Sequence, residues 1–110
     1  MRAISALALL IGLLLIAGCA KPVPPEKASY IGQWQNQSVY LLITPEGRIE
    51  YRKVRGNVTT SLKAPIKAFV GDSFEAGLGP FSTTFVVSEP PHQEQGVWRL
   101  VVDGEVLTKR

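Results

Sequence analysis

Few residues of this chain have side chains and spacings suited to catalysis. The single histidine, His92, follows two prolines in a polar segment, where we expect a solvated loop. Ser73, Ser82 and Ser88 lack the flanking glycines of a nucleophile elbow. A Ser–His–acid site is defined by geometry rather than chain order, but one loop histidine in so small a domain argues against it. We therefore expect no catalytic residues and a protein that is not an enzyme.

Metal and cofactor chemistry also lack the residues that they need. Cys19 is the single cysteine, and Met1 is the single methionine. One cysteine excludes an intramolecular disulfide framework, and one cysteine with one histidine cannot build a zinc site. The glycine-rich segment 77–80 is not followed by the Lys-Ser/Thr pair of a phosphate-binding loop. We expect no metal site and no cofactor.

The charge balance excludes one further class of partner. The chain has 110 residues, with 12 Lys and Arg against 9 Asp and Glu, for a formal net charge of +3. That excess is too small for nucleic-acid binding without a clustered basic face. The length allows one small domain.

The first residues have the composition of an export signal. Arg2 supplies a positive start, and residues 3–17 form an almost pure Ala/Leu/Ile run. Small residues follow, so the segment 1–18 is typical of a secretory signal peptide, which we expect to be helical. Lys21 and Pro22 end the apolar run before the roughly 20 residues that a transmembrane helix needs. The alternative is an N-terminal membrane anchor that is never cleaved.

The sequence Ile16-Ala17-Gly18-Cys19 resembles the lipobox of bacterial lipoproteins. The resemblance implies cleavage before Cys19, a diacylglyceryl group on its thiol and acylation of the new amino terminus. Such lipidation anchors a protein stably, because it supplies more than one acyl chain. Asp does not follow Cys19, which in the enterobacterial sorting rule favours the periplasmic face of the outer membrane over the inner membrane. The alternative is a chance cysteine in an ordinary signal peptide.

The residues after Cys19 form a proline-rich segment. Residues 20–29 contain three prolines, three charges and one bulky apolar side chain, Val23. Because proline fixes φ and lacks an N–H, this composition favours an extended tether. At about 3.1 Å per residue the tether would span roughly 30 Å. We therefore divide the chain into the signal peptide 1–18, the lipidated cysteine and tether 19–29, and a folded domain 30–110.

Short alternating runs from residue 30 onward predict strands. Leu41 and Ile43 precede the turn sequence Pro-Glu-Gly at 45–47, and Ile49 and Tyr51 follow it. Joining the strands through this three-residue loop sets Ile43 opposite Ile49 and Leu41 opposite Tyr51. All four side chains then lie on one face, as a half-buried hairpin requires.

A second hairpin is predicted at the C-terminal end. Asp-Gly at 103–104 is a strong signal for a two-residue turn, and it sets Leu100 opposite Leu107 on the face that carries Trp98. Four further runs lie between the hairpins, over 58–62, 66–70, 73–78 and 81–88, the last of which places Phe81, Phe85 and Val87 on one face.

The fold class predicted by these runs is all-β. The number of runs corresponds to an antiparallel meander of about seven or eight short strands. Such a meander closes into a small β-barrel or folds into a two-layer sandwich, and the pattern leaves that choice open.

Gly32-Gln33-Trp34 resembles the glycine-x-tryptophan element that opens the meander of lipocalin-like barrels, where the tryptophan plugs one end. The strands are short and their inward faces offer bulky apolar side chains, so we expect a packed interior rather than a ligand cavity. Trp34 is then a core residue. The alternative places it in the wall of a ligand site.

One outward strand face combines aromatic and basic residues. Strand alternation places Arg48, Glu50 and Arg52 beside Tyr40 and Leu42 of the partner strand. One interpretation is a solvated face, whose ion pairs contribute only about a few tenths of a kcal/mol. The other is a partner-binding patch of Tyr40, Leu42, Arg48 and Arg52, because Arg and Tyr are enriched where proteins bind.

Together these features predict a lipid-anchored, non-enzymatic binding or accessory module for an envelope protein, facing the periplasm from the outer membrane. Peptidoglycan carboxylates and anionic lipid head groups are other acidic targets for the patch. Two other functions stay open: a lipocalin-like binder of lipophilic small molecules near Trp34, and an inhibitor of a cell-wall lytic enzyme.

Overall fold

The computed structural model describes residues 20–110, which form one antiparallel sheet of nine strands. The all-β class is confirmed. The predicted signal helix over 1–18 and the predicted lipidation site Cys19 lie outside the described residues. Among residues 20–110, no helix is long and apolar enough to cross a bilayer. In chain order the elements are η1 (a 3₁₀ helix, Pro25–Tyr30), β1 (Gly32–Gln35), β2 (Val39–Ile43), β3 (Arg48–Arg55), β4 (Val58–Val70), β5 (Ser73–Leu78), β6 (Phe81–Phe85), β7 (Val87–Glu94), β8 (Val97–Val102) and β9 (Glu105–Lys109).

The order of strands across the sheet forces it to curl. That order is β6-β5-β4-β3-β2-β1-β9-β8-β7, so β6 and β7 are its two edges. Only Val86 separates these edge strands in the chain, and the edges must therefore meet there. Asp103 holds the meeting point: its carboxylate accepts the Val86 N–H at 2.9 Å, and its own N–H donates to the Val86 carbonyl at 2.7 Å. The sheet is a curled half-barrel.

Both predicted hairpins are confirmed in register. Ile43 lies opposite Ile49 and Leu41 opposite Tyr51 across β2 and β3. Leu100 lies opposite Leu107 across β8 and β9. At the second turn Asp103 and Gly104 both have positive φ, 50° and 78°. A two-residue hairpin turn with such φ values matches the right-handed twist of the strands that it joins.

The central runs are divided differently from the prediction. The segments 58–62 and 66–70 form one strand of 13 residues, β4, which pairs with β3 up to Pro65 and then with β5. A register shift between Ile66 and Ala68 marks the change of partner, where a bulge bends the strand. The segment 81–88 instead divides at Val86 into β6 and β7. Phe85 and Val87 are buried, while Phe81 lies on the same side of β6 as Phe85 but is 78% exposed at the end of the strand.

β7 continues through Pro90-Pro91, where the sequence predicted a loop. Proline is tolerated because β7 is an edge strand, on which one row of N–H groups faces no neighbouring strand. The ladder with β8 shifts register on both sides of Glu89 and accommodates the two prolines. His92 therefore lies in a strand, opposite Arg99, and not in a loop.

The concave side of the sheet is filled by aromatic and aliphatic side chains. Phe74 and Phe85 stack with ring centroids 5.0 Å apart at 16°, and the Tyr51 ring meets Phe85 edge-on at 5.1 Å. Offset stacking and edge-to-face contact are the favourable arrangements of such rings. The buried apolar residues are Tyr30, Trp34, Val39, Leu41, Ile43, Ile49, Ala64, Ile66, Phe74, Ala76, Phe85, Val87, Leu100, Val102 and Leu107.

Because Phe74 is fully buried in this stack, we expect Phe74→Ala to lower the free energy of unfolding by about 3–5 kcal/mol. The matched control is Phe81→Ala, which removes the same atoms from a side chain that is 78% exposed. Its expected effect is within about 0.5 kcal/mol. Denaturant unfolding of both variants checks this, and equal losses would contradict the described core.

Candidate functional site

The segment that precedes β1 is docked on the domain. The extended conformation expected over 20–29 ends at Pro24, since Pro25–Tyr30 form a 3₁₀ helix. Proline suits the first helical position, where its missing N–H needs no partner. Val23 donates its N–H to the Pro45 carbonyl at 3.0 Å, and its side chain packs against the core. The chain is therefore held to the β2–β3 turn two residues before the helix.

Contacts with the β4–β5 turn hold the helix itself. Lys27 Nζ donates to the Gly71 carbonyl at 2.8 Å, and the Tyr30 hydroxyl donates to the Asp72 carbonyl at 2.7 Å. Burial, with a smaller effect of the Asp72 charge, raises the pKa of Tyr30 to about 12. Tyr30 therefore stays protonated and able to donate at every physiological pH.

Gly47 is the position in the β2–β3 turn against which the backbone of the N-terminal segment lies. Its φ is +88°, a conformation that favours glycine, and a Cβ placed there would collide with the Lys21 carbonyl. The turn predicted at 45–47 thus has a second role, in docking, which its sequence alone does not indicate. It lets the backbone of the incoming segment lie directly on the turn.

The structure brings together part of the patch predicted on the outer face. Tyr40 lies opposite Arg52 across β2 and β3, with the guanidinium carbon 5.7 Å from the ring centroid. This cation–π contact is worth about 0.5–1 kcal/mol at an exposed site. Tyr40 and Leu42 are half-buried, and Leu42 lies opposite Glu50. The pair offers a partner an aromatic and cationic surface.

Arg48 lies apart from that pair, at the turn end of β3 opposite Pro65. Between the two arginines, Glu50 forms an ion pair with Lys63 at 3.6 Å, in which the lysine side chain is 80% exposed. Such an exposed pair adds little stability. The outer face thus keeps a net positive charge carried by Arg48 and Arg52.

Trp34 closes the interior at the end where η1 lies. The side chain has no exposed surface, and Nε1 donates to the Tyr30 carbonyl at 2.9 Å. Lys109 Nζ lies over it, 5.2 Å from its ring centroid and 5.4 Å from that of Trp98. Burial there lowers the pKa of Lys109. Gly32, with φ of +140°, leaves the space that the Lys109 side chain fills.

His92 belongs to a charged cluster on the edge strand β7. Its Nε2 lies 3.1 Å from a Glu94 carboxylate oxygen and 3.8 Å from one of Glu89, and its Nδ1 is 2.8 Å from the Pro90 carbonyl. The Pro90 carbonyl and Glu94 raise the pKa of His92. Arg99 Nε lies 3.0 Å from Glu94 but makes no hydrogen bond, so that contact is ionic. The Glu94 carboxylate thus lies beside both His92 and Arg99, and the Glu89 carboxylate lies beside His92.

The sequence interpretation missed an exposed apolar hairpin tip. Leu78 and Phe81 flank the β5–β6 turn and are 55% and 78% exposed. They line an open groove of about 510 Å³ on the concave side, with Leu62 and Ala76. The signal that could have identified the tip is the absence of charge between Glu75 and Glu89. We name the segment Leu78 to Phe81 the apolar tip.

Comparisons of the chain with protein-family models, curated proteins and solved structures found no match. The function must therefore be inferred from the side chains themselves. Three surfaces are available for that purpose: the docked N-terminal segment, the Tyr40–Arg52 face and the apolar tip.

Because Gly47 lies directly against the Lys21 carbonyl, a larger residue at position 47 should disrupt the docking of the N-terminal segment. We expect Gly47→Ala to displace the segment around Lys21 and to lower the free energy of unfolding by more than the roughly 1–2 kcal/mol that a positive φ costs. Exchange of the Val23 amide hydrogen should accelerate, because that N–H is bonded to the adjacent turn.

The matched control is Gly56→Ala, since Gly56 has φ of +59° and a Cβ added there would meet no atom within 4 Å. Gly56→Ala should lower the free energy of unfolding only by the cost of a positive φ, and the exchange rate of the Val23 amide should not change. Unchanged Val23 exchange in Gly47→Ala would contradict the described docking.

Proposed function

We propose that this protein is a lipid-anchored, non-enzymatic accessory module that binds an envelope protein at the periplasmic face of the outer membrane. The lipobox-like residues 16–19 support the anchor, because a thiol behind an apolar run and two small residues is the substrate of lipoprotein processing. The face around Tyr40 and Arg52 supports a binding role.

The docking of Val23 on the β2–β3 turn is the observation that best supports a module held at the membrane. Three residues separate Cys19 from Val23, and the four residue-to-residue steps between them span at most about 14 Å when fully extended. A lipid on Cys19 would therefore hold the domain close to the bilayer surface, instead of roughly 30 Å away as a free tether would. Such an anchor suits a module that acts on partners at the membrane.

The partner-binding surface that we propose is the outer face of β2 and β3. Arg52 lies over the Tyr40 ring, and Arg48 extends the positive charge toward the turn that receives the N-terminal segment. An arginine that rests on an aromatic ring keeps its planar guanidinium donors free to bind a carboxylate. The favoured partner is an envelope protein with an acidic surface, and peptidoglycan carboxylates are the other target with this chemistry.

The alternatives receive less support. A lipocalin-like binder would need Trp34 to face a cavity, whereas its side chain has no exposed surface. Inhibition of a lytic enzyme finds no specific support among residues 20–110.

Anchoring is tested with Cys19→Ser in cells that produce the full chain. The expected result is loss of labelled palmitate from the protein and loss of the protein from the outer-membrane fraction of a density gradient. Ala20→Ser is the control, since it alters the neighbouring small residue and keeps the thiol. Cys19→Ser protein that remains in outer-membrane fractions at the parent level would overturn the lipid anchor.

Partner binding is tested by crosslinking in the same cells, with Arg52→Ala against Arg55→Ala. Both arginines are exposed on β3, but Arg52 alone of the two lies over Tyr40. We expect crosslinks to envelope proteins to fall about tenfold or more in Arg52→Ala, as for an interface hot spot, and to persist in Arg55→Ala. Crosslinks that depend equally on both positions, or that are absent from the parent, contradict this surface.

A further inference from the structure

We propose that the apolar tip, Leu78 to Phe81, inserts into the headgroup region of the lipid bilayer beside the N-terminal anchor. The domain would then touch the membrane at two points, which fixes its orientation as well as its distance. The inference rests on the proposed membrane attachment, and it adds a lipid-binding surface to it.

Exposed apolar side chains at the tip carry the proposal. Phe81 is the most exposed of the large hydrophobic residues in the described chain, and Leu78 beside it is more than half exposed. No charged residue occurs in 76–88, so no charge within the segment opposes its transfer from water to lipid. Aromatic and leucine side chains on a surface are those that bury in the headgroup and acyl boundary.

The tip is held in shape before any contact with lipid. Lys67 Nζ donates to the Gly79 carbonyl at 2.6 Å and fixes the turn. Gly79 has φ of +57°, and a Cβ on Gly77 would collide with the Phe81 backbone, so the strands approach closely at this end. A preformed turn loses little conformational entropy when it inserts.

The position of the tip relative to the chain outside the described residues favours a membrane. Lys67, which holds Gly79, also lines a groove of about 390 Å³ with Lys21 and Pro22. One lysine therefore contacts both the turn of the tip and the groove that receives the junction to residues 1–19. An apolar run at 3–17 or a lipid on Cys19 would bring a bilayer to this groove.

Charge near the tip is compatible with a lipid surface. Lys21 and Lys67 line the 390 Å³ groove with a single acidic residue, Glu26. The excess of one positive charge attracts anionic lipid weakly, so the apolar side chains supply most of the binding.

A protein strand added to the edge of β6 fits the structure less well. The exposed apolar surface is concentrated at the turn, in Leu78 and Phe81, while Ser82, Thr83 and Thr84 occupy the body of the edge. Strand addition gains specificity from side chains spaced along the whole edge. A surface concentrated at one turn suits shallow insertion better.

The test measures insertion depth at residue 81 in the full chain as cells process it, reconstituted into vesicles of phosphatidylcholine with a minority of phosphatidylglycerol. Phe81→Trp adds an emission to those of Trp34, which is buried, and Trp98, which is half-buried. The matched control is Val106→Trp, since Val106 is 50% exposed on β9, which is separated from β6 by five strands along the sheet and by β7 and β8 across the meeting edges. Phospholipids brominated near the headgroup end of the acyl chain serve as the quencher.

We expect the added emission of Phe81→Trp to be quenched several-fold more than that of Val106→Trp. Leu78→Ser in the Phe81→Trp chain should reduce that quenching. Equal quenching at both positions, with the chain still floating with vesicles, overturns the tip insertion and leaves the anchor intact; a tip that binds protein gives this outcome too. A chain that fails to float with vesicles overturns the membrane attachment and the insertion together.

Discussion

The meeting of the two sheet edges at Val86 is the constraint on which the rest of the structure depends. One residue joins β6 to β7, and the backbone and side chain of Asp103 bind both polar groups of that residue. The sheet must curl to allow this, and the curl brings Tyr51 of β3 onto Phe85 of β6, across the two strands that lie between them in the sheet, with ring centroids 5.1 Å apart. The aromatic core is thus a consequence of the chain path as much as of apolar composition.

The filled interior restricts recognition to exposed surfaces of the sheet. Trp34 and the stacked rings occupy the concave side where a larger barrel would hold a ligand. The surfaces left for recognition are the outer face of β2 and β3 and the apolar tip. They differ in chemistry, since the first combines arginine with tyrosine and the second is uncharged. The first suits an acidic protein surface, and the second suits lipid.

The docked N-terminal segment connects these surfaces to the proposed location of the protein. It packs beside the β2–β3 turn, from which Arg48 begins the basic face, and it shares a groove with Lys67, which holds the apolar tip. A single anchoring point would leave the domain free to rotate about it. A second contact at the tip would present the Tyr40–Arg52 face in a constant direction.

The sequence by itself determined what depends on neighbours along the chain. Both hairpin registers follow from turn residues and from a side-chain period of two, and the lipobox-like motif at 16–19 is recognisable without a fold. Only the tertiary structure decided the continuity of β4 through Pro65, the division at Val86, the strand position of His92 and the exposure of Phe81. Each of these depends on where a strand pairs with its neighbours in the folded sheet and where that pairing shifts register or ends, which side-chain alternation and turn residues do not specify.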